Sequence, residues 1–336
     1  MKKSLVSALV VGAVVFVGAI VLGPQRISLA TQATGDEQLA TELSELAVPG
    51  HNQLAAFSIS DDTTTFAGWG ADQDTEIEIG SVTKMLTVEL LRQEVEDGDL
   101  ELDTTLGELI DELEEPIAEV TVEEAANHTG GLPRLAGVSF SSNLGFSVFG
   151  TNPYQGIGRD DVITAANEIS ELENRGEEQY SNLGYALLGW ALAEHHGLSY
   201  EELLDDEIFT PLGMDDTFVA TEQNVERSST GLLNNGRNAQ PWITEGYAPT
   251  GMVRSTPGDM AKFAKHLLEI GLPEYGWAET ASARDDDSGA GWHNGQTGGY
   301  STMLVIAPHK QRATFVAGNT PRGVEHIGLQ LAGEEV

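Results

Sequence analysis

The chain has 336 residues, no cysteine and a formal net charge of −36 at pH 7. Without cysteine there are no disulfides, thiolate metal sites or cysteine nucleophiles, and the length suits one large domain or two closely packed lobes. The excess of 53 Asp and Glu over 17 Lys and Arg disfavours binding of nucleic acid or anionic lipid by the folded part. Adaptation to high salt, which screens such charge, is one hypothesis for the acidity.

The N-terminus has the pattern of an export signal, because Lys2 and Lys3 precede an apolar run that ends at Gly23. The run approaches the ~20 residues that cross a bilayer, so residues 1–23 are a signal peptide or an uncleaved membrane anchor. The lysines would keep the N-terminus cytoplasmic and place the rest outside. We expect an extracytoplasmic protein, secreted or anchored at the outer face of the membrane. Residues 24–45 are polar and small, and we expect a tether there.

Alternating and β-branched residues predict strands, and apolar residues at helical spacing predict helices. The predicted strands are 53–60, 64–69, 76–80, 301–307 and 313–317. The predicted helices are one that begins near residue 81, short pieces within 102–126, and 160–172, 182–196, 199–208, 257–270 and 323–332. Residues 138–158 are expected to form a long irregular loop over a cleft. The fold class is therefore α/β of the α+β type, an antiparallel sheet flanked by helices plus a helical lobe spanning about 100–250.

Ser81 and Lys84 form the chain's one Ser-x-x-Lys sequence, between the predicted strand 76–80 and the following helix. Their spacing places both side chains on one face of the first helical turn. A lysine amine beside a serine hydroxyl can take its proton and make it a nucleophile. Burial and the positive end of the helix dipole would both lower the lysine pKa. Taken alone, the motif is more typical of a solvent-facing helix start with an N-cap serine.

Two later segments carry groups that such a nucleophile needs. Tyr180 precedes a predicted helix and can serve as a proton shuttle beside a lysine, and Asn182 can donate to a substrate carbonyl. A buried tyrosine with an asparagine N-cap is the structural alternative. In residues 292–300 three glycines allow close approach of a ligand, and the Gln296 N–H could pair with that of Ser81 to hold an oxyanion. A glycine-rich hairpin would have the same composition.

The segments EIGSVTKMLT, YSNLGYALLG and HNGQTGGY, in this order, resemble the serine β-lactamase and penicillin-binding-protein superfamily. The resemblance is to its class C branch, which includes D-alanyl-D-alanine carboxypeptidases and esterases. Connecting segments at 127–133, 211–214 and 255–260 are also similar to the family. The resemblance implies a β-lactamase/DD-peptidase-like fold and a serine hydrolase domain over residues 46–336.

The resemblance also implies a role for each matching residue. Ser81 would be the acylated nucleophile, and Lys84 and Tyr180 would share general base and acid work. The N–H groups of Ser81 and Gln296 would form the oxyanion hole, and Gly295 would lie in the same substrate-binding segment. Asn182 would orient the substrate amide. The pocket for the substrate carboxylate would be lined by His293, Asn294 and Thr297. His293 stands where many members have lysine, and Asn294 where a threonine is usual. Because histidine is only partly charged near neutral pH, strong β-lactamase activity is less expected than peptidase or esterase activity.

The expected function is an exported serine hydrolase that forms a serine acyl-enzyme with D-Ala-D-Ala peptides or β-lactams. The alternatives are a small-ester esterase of the same fold and a non-catalytic envelope protein that binds peptides. The expected partner of the protein is a small-molecule or peptide substrate and not nucleic acid. Membrane contact is expected only through the N-terminal segment. The sequence predicts neither a cofactor nor a metal site, and leaves the oligomeric state open.

Overall fold

The computed structural model describes residues 25–138, 151–225, 230–279 and 290–334. Its strands in chain order are β1 Ala33–Gly35, β2 Leu54–Ser60, β3 Thr63–Trp69, β4 Ile77–Glu78, β5 Phe218–Val219, β6 Val253–Ser255, β7 Ala278–Glu279, β8 Gly291–Gln296, β9 Ser301–Ala307 and β10 Arg312–Gly318. Seven of them form one antiparallel sheet in the order β1-β3-β2-β10-β9-β8-β7. The predicted antiparallel sheet is confirmed.

A second, small sheet has the order β4-β6-β5, with Glu78 opposite Arg254 in the register. The sequence did not predict this sheet as a unit. Strands of two or three residues are too short to show the alternation on which a strand prediction depends. The small sheet matters for the site because β4 leads directly into the segment that carries Ser81.

Helices flank the main sheet, and most of them lie in the stretch of chain between β3 and β7. The α-helices are α1 Glu37–Leu46, α2 Thr83–Asp97, α3 Leu106–Leu109, α4 Val122–Ala126, α5 Arg159–Asn167, α6 Asn182–His196, α7 Tyr200–Leu204, α8 Thr210–Leu212, α9 Ala248–Gly251, α10 Pro257–Ile270 and α11 Glu325–Ala332. The bounds of α6 and α10 agree with the sequence prediction. The helix predicted at 199–208 is α7 continued by a π-helical turn, Asp205–Phe209.

The tether expected at 24–45 is wrong for residues 33–45. There β1 pairs with β3, and α1 follows with Leu39 and Leu43 buried against the sheet. Asp36 caps α1 by accepting a hydrogen bond from the Leu39 N–H at 2.9 Å. The apolar positions of α1 are spaced for a helix, and that spacing outweighs the polar composition on which the tether prediction rested.

The main sheet is buried on both faces, as the alternation along β9 shows. Leu304 and Ile306 belong to the apolar cluster that includes α10, whereas Met303 and Val305 belong to a second cluster that includes α1 and α11. Successive side chains of a strand point to opposite faces, so one strand contributes to both apolar layers. This burial fixes the position of the neighbouring strand β8, which borders the candidate site.

Two predicted features lie outside the described residues. These are the export segment at 1–23 and most of the loop expected over the cleft, residues 139–150. Within the part of the chain that the structure describes, no helix has both the length and the apolar character needed to span a bilayer.

Candidate active site

Ser81 lies at the junction between β4 and α2. Gly80 has φ +54°, a conformation that favours glycine, and opens a short 3₁₀ turn, Gly80–Val82, that leads into α2. Lys84 follows in the first turn of that helix and is fully buried. Its ammonium donates to Ser81 Oγ at 3.2 Å and to the Thr250 carbonyl of α9 at 2.7 Å. The local sequence thus presents one hydroxyl at the surface of the cleft with a buried amine directly behind it.

Tyr180 approaches the same hydroxyl from the helical side. Its phenol donates to Ser81 Oγ at 2.7 Å, and its ring centroid lies 5.0 Å from the Lys84 ammonium. Ser181 caps α6 by accepting a hydrogen bond from the Gly184 N–H at 2.9 Å, which fixes the residue before the helix. The structure therefore brings Tyr180 to Ser81 and Lys84, although Ser81 and Tyr180 lie 99 positions apart in the chain.

Burial and mutual charge shift the proton affinities of this triplet. Burial lowers the pKa of Lys84, and the positive charge of Arg134 lowers it further, while Tyr180 opposes both effects. Burial alone would raise the pKa of Tyr180, but the Lys84 charge and the hydrogen bonds to Lys84 and Ser81 outweigh it and lower it. Both pKa values are thus lowered, so amine and phenol can exchange a proton next to the Ser81 hydroxyl.

Two histidines next to the triplet are neutral at physiological pH. Burial, followed by the charge of Lys84, lowers the pKa of both His128 and His293 to about 3. The His128 ring centroid lies 4.6 Å from that of Tyr180, with the two planes tilted, and His128 Nδ1 accepts from the Ser181 N–H at 3.1 Å. Both rings therefore support the position of Tyr180 without adding a positive charge to the site.

The chain segment 293–297 borders the nucleophile, as the sequence predicted, but most of its polar side chains already hydrogen-bond to other groups of the protein. His293 is only 7 % exposed, and its Nδ1 contacts the Asn294 carbonyl at 2.7 Å. Asn294 donates to Glu325 at 2.9 Å. Thr297 accepts from the Tyr300 N–H at 3.1 Å and hydrogen-bonds to Glu78. Asn294 and Thr297 line the cleft, whereas His293 does not contribute to its lining.

Glycine at two positions lets β8 lie directly against the Ser81 segment. A Cβ on Gly80 would come 2.7 Å from the Gln296 nitrogen, and one on Gly295 would come 2.0 Å from the Ile79 carbonyl oxygen. The Thr302 hydroxyl also donates to that carbonyl at 2.8 Å. The backbone of Gln296 is therefore next to the residue that precedes Ser81, the neighbourhood that a two-amide oxyanion hole requires.

The cleft in front of Ser81 has a volume of about 480 Å³, in the range of small-molecule sites. The lining residues are Ser81, Arg134, Leu135, Pro153, Tyr154, Tyr180, Asn182, Trp242, Thr250, Gly251, Asn294, Gln296, Thr297 and Pro321. The sequence analysis did not identify Arg134, Tyr154 or Trp242 as cleft residues. Arg134 directly follows the family-like segment 127–133, and its position after that segment was the one available indication.

A buried ion pair supports the wall of the cleft. Arg254 of β6 is fully buried and donates to Glu78 of β4 at 2.9 Å, and it also pairs with Glu76. Glu78 in turn accepts from the Trp242 N–H at 3.0 Å and from Thr297. Burial raises the pKa of Glu78, and the Arg254 charge opposes that rise. One carboxylate thus connects the small sheet with two segments that line the cleft.

Comparisons with known proteins agree with this architecture. The family model described as Beta-lactamase matches residues 46–333. Penicillin-binding protein 4 of Amycolatopsis lactamdurans is 27% identical over 223 residues, which cover 61% of this chain and 54% of that protein. The D-alanyl-D-alanine-carboxypeptidase/endopeptidase AmpH of Escherichia coli is 29% identical over 313 residues, 78% of each chain. The chain thus spans about half the length of the penicillin-binding protein.

Solved structures show the same fold at lower identity. A β-lactamase/D-alanine carboxypeptidase of Pseudomonas syringae superposes with a TM-score of 0.70 at 17% identity, covering 88% of this chain and 96% of that one. A class C β-lactamase of Rhodobacter sphaeroides gives a TM-score of 0.68 at 18% identity, covering 85% and 94%. The predicted fold and the resemblance are confirmed, and this chain belongs to the β-lactamase family of serine hydrolases.

Proposed function

We propose that this protein is an exported serine hydrolase that forms an acyl-enzyme on Ser81, acting on D-Ala-D-Ala peptides or β-lactams. The observation that carries the proposal is the pair of hydrogen bonds to Ser81 Oγ, 2.7 Å from the Tyr180 phenol and 3.2 Å from the Lys84 ammonium. A serine flanked by two groups with shifted pKa values has the constellation of an activated nucleophile.

In the proposed reaction Ser81 Oγ attacks the substrate carbonyl, and its proton passes to the Tyr180–Lys84 pair. The N–H groups of Ser81 and Gln296 would stabilise the oxyanion. The same pair would return the proton to the leaving amine, and water would then release the acyl group by the reverse path. Asn182 would hold the substrate amide, because its Oδ1 is buried and has no hydrogen-bond partner among the described residues.

An esterase is the second candidate, and His293 favours it. The histidine is neutral, since burial and the Lys84 charge lower its pKa to about 3, so it would not hold a carboxylate as a lysine would. A small ester without a carboxylate does not require a positively charged residue at this position. The third possibility, a non-catalytic peptide-binding protein, is disfavoured because the lysine and the tyrosine both hydrogen-bond to the serine hydroxyl.

The proposed location is outside the cytoplasmic membrane, released or held by residues 1–23. Its support is the pair of lysines followed by the apolar run in the sequence. The mass of the protein extracted from membranes and from medium would distinguish the two forms. A protein found only in the cytoplasm with an intact N-terminus would contradict export.

The function is tested by offering the full-length protein three substrates. These are an acylated D-Ala-D-Ala peptide, a chromogenic cephalosporin and a short-chain nitrophenyl ester. Release of D-alanine supports a peptidase, fast cephalosporin turnover a β-lactamase, and turnover of the ester alone an esterase. Binding of the peptide without turnover of any substrate would favour the non-catalytic alternative.

A further inference from the structure

The charge of the cleft differs from the charge of the molecule. The chain carries a formal charge of −36, yet none of the described residues that line the cleft is acidic, and one of them, Arg134, is cationic. A lone cation at a site without carboxylates attracts anions, whatever the net charge of the surrounding surface. The cleft is thus locally suited to a negatively charged ligand.

The residues at which the resemblance placed the substrate carboxylate are poorly suited to bind it. His293 is buried behind the lining and neutral. Asn294 already donates to Glu325 at 2.9 Å, and the Thr297 hydroxyl is shared between Glu78 and backbone N–H groups. Lys84 is fully buried and donates to Ser81 and Thr250. None of these groups offers a charged donor to the cleft.

Arg134 is placed to supply that donor. Its carbonyl accepts a hydrogen bond from the Asn182 N–H at 3.0 Å, and its guanidinium carbon lies 5.2 Å from the centroid of the Tyr180 ring. The side chain is exposed to the cleft. Arg134 therefore stands beside both the proposed proton shuttle and the residue that would hold the substrate amide.

The guanidinium of Arg134 is also uncommitted. The arginines Arg92, Arg159, Arg175 and Arg254 each form ion pairs with acidic side chains, whereas within the described residues Arg134 forms none. Arg26, Arg312 and Arg322 likewise form no ion pair among the described residues, but Arg134 is the one of these four that lines the cleft. Its five N–H donors match the two oxygens of a carboxylate.

We propose that Arg134 binds a carboxylate of the substrate, so that the enzyme selects anionic peptides over their neutral analogues. This inference rests on the proposed function, because it assumes that the ligand occupies the cleft in front of Ser81. The amide of the ligand would donate to the buried Oδ1 of Asn182, which orients the ligand along the wall that Arg134 shares. Arg134 is then the determinant of substrate charge.

The experiment measures binding to the full-length protein with Ser81→Ala, so that no ligand is consumed. The ligands are N-acetyl-D-Ala-D-Ala, its C-terminal amide, and the N-succinyl form of that amide, which moves the single carboxylate to the acyl end. Trp242 lines the cleft, so its fluorescence reports binding, with calorimetry as a second readout. Arg134→Gln is compared with Arg312→Gln, which removes the same charge from an exposed position at the start of β10.

We expect one of the two carboxylated ligands to bind about tenfold more tightly than the neutral amide, as a charge-assisted bidentate pair would give. Arg134→Gln should abolish that preference, Arg134→Lys should keep part of it, and Arg312→Gln should leave it unchanged. The ligand that binds more tightly shows whether Arg134 contacts the C-terminal carboxylate of the substrate or a carboxylate on its acyl side. Retention of the preference in Arg134→Gln, the absence of any preference, or failure of all three ligands to bind would each overturn the inference.

Turnover by the protein with Ser81 intact separates this inference from the proposed function. Hydrolysis that is insensitive to Arg134→Gln would leave the function standing and refute the role of Arg134. A carboxylate preference that depends on Arg134, without hydrolysis of any substrate, would refute the enzymatic function and keep the binding site.

Discussion

Ser81 accepts hydrogen bonds from an amine and a phenol whose pKa values are both lowered, the amine by burial and the phenol by the amine's charge. Each group alone would be a poor base at neutral pH, since an ordinary lysine is charged and an ordinary tyrosine is protonated. Together they share a proton next to the nucleophile, which makes each dependent on the other.

Lys84→Ala and Tyr180→Phe should each lower the turnover number by about 10²–10⁴-fold, the usual contribution of general acid–base groups. The measurement is steady-state turnover of whichever substrate the wild type hydrolyses. Tyr275→Phe is the matched control, because it removes a buried hydroxyl that has no partner among the described residues and lies outside the cleft lining. Near-normal turnover in both site variants would contradict the assigned roles.

The two neutral histidines make stability depend on pH. In the folded state the pKa of His128 and of His293 is about 3, against about 6.5 in the unfolded chain. Below pH 6.5 the unfolded state therefore binds more protons, and stability falls as pH falls, by roughly 1.4 kcal/mol per unit for each histidine. This contribution is fully present above pH 6.5 and is lost progressively down to pH 3.

His128→Asn should reduce the loss of unfolding free energy between pH 7 and pH 5, measured by urea unfolding. Asparagine suits this position, because His128 has φ +60° and an amide oxygen can still accept from the Ser181 N–H. Carboxylates elsewhere in the chain contribute equally to the pH dependence of both proteins. An equal loss of unfolding free energy in wild type and variant would therefore contradict the contribution of His128.

The sequence predicted that Lys84 lies next to the Ser81 hydroxyl, because the Ser-x-x-Lys spacing places both side chains on one helical face. It could not show that His293 is buried and neutral, since burial depends on what packs over β8. Arg134 was missed because an exposed arginine in an irregular segment has no periodic pattern. Its importance depends on the cleft around it.

At the scale of elements, the site depends on the contact between β8 and the turn that carries Ser81. Gly80 and Gly295 permit that contact, and Thr302 of β9 reinforces it through the Ile79 carbonyl. The edge of a well-packed sheet thereby sets the distance between the two amides proposed for the oxyanion.

Gly80→Ala should reduce acylation of Ser81 by at least ~10-fold, because its Cβ would lie 2.7 Å from the Gln296 nitrogen and push β8 away. Gly98→Ala is a matched control, since Gly98 also has a left-handed conformation, φ +80°, but nothing lies within 4 Å of its added Cβ. Both substitutions should cost about 1 kcal/mol of stability through backbone strain, and Gly80→Ala should cost more because its Cβ also meets β8. Equal acylation rates in the two variants would contradict the proposed role of the contact.

Elements with strong end signals were predicted best. The helices α6 and α10 agree in their bounds because Ser181 and Thr256 cap them and Gly197 and Gly271 follow them. The small sheet was missed because its strands are too short to show a period. The first strand and helix were missed because a polar composition was given more weight than the spacing of Leu39 and Leu43.

At the scale of the molecule, the acidic side chains that give the net charge of −36 repel one another in the folded state, and salt weakens that repulsion. The Debye length falls from about 10 Å at 0.1 M to about 3 Å at 1 M, so the effect should be largest in this range.

The melting temperature should rise as sodium chloride is increased from 0.1 M to 1 M, with a smaller change above that range. Thermal unfolding followed by circular dichroism measures it. A series in sucrose is the control, because sucrose stabilises by exclusion from the surface without screening charge. A melting temperature that stays constant or falls across the salt series would contradict the high-salt interpretation of the composition.

Covalent acylation of Ser81 can be measured by mass spectrometry of the intact full-length protein after reaction with a fluorescent penicillin. We expect one adduct per chain, mapped by proteolysis to the peptide that contains Ser81 and absent from a folded Ser81→Ala variant. An adduct that persists in Ser81→Ala, or wild-type protein that remains unmodified at every quench time, would contradict it.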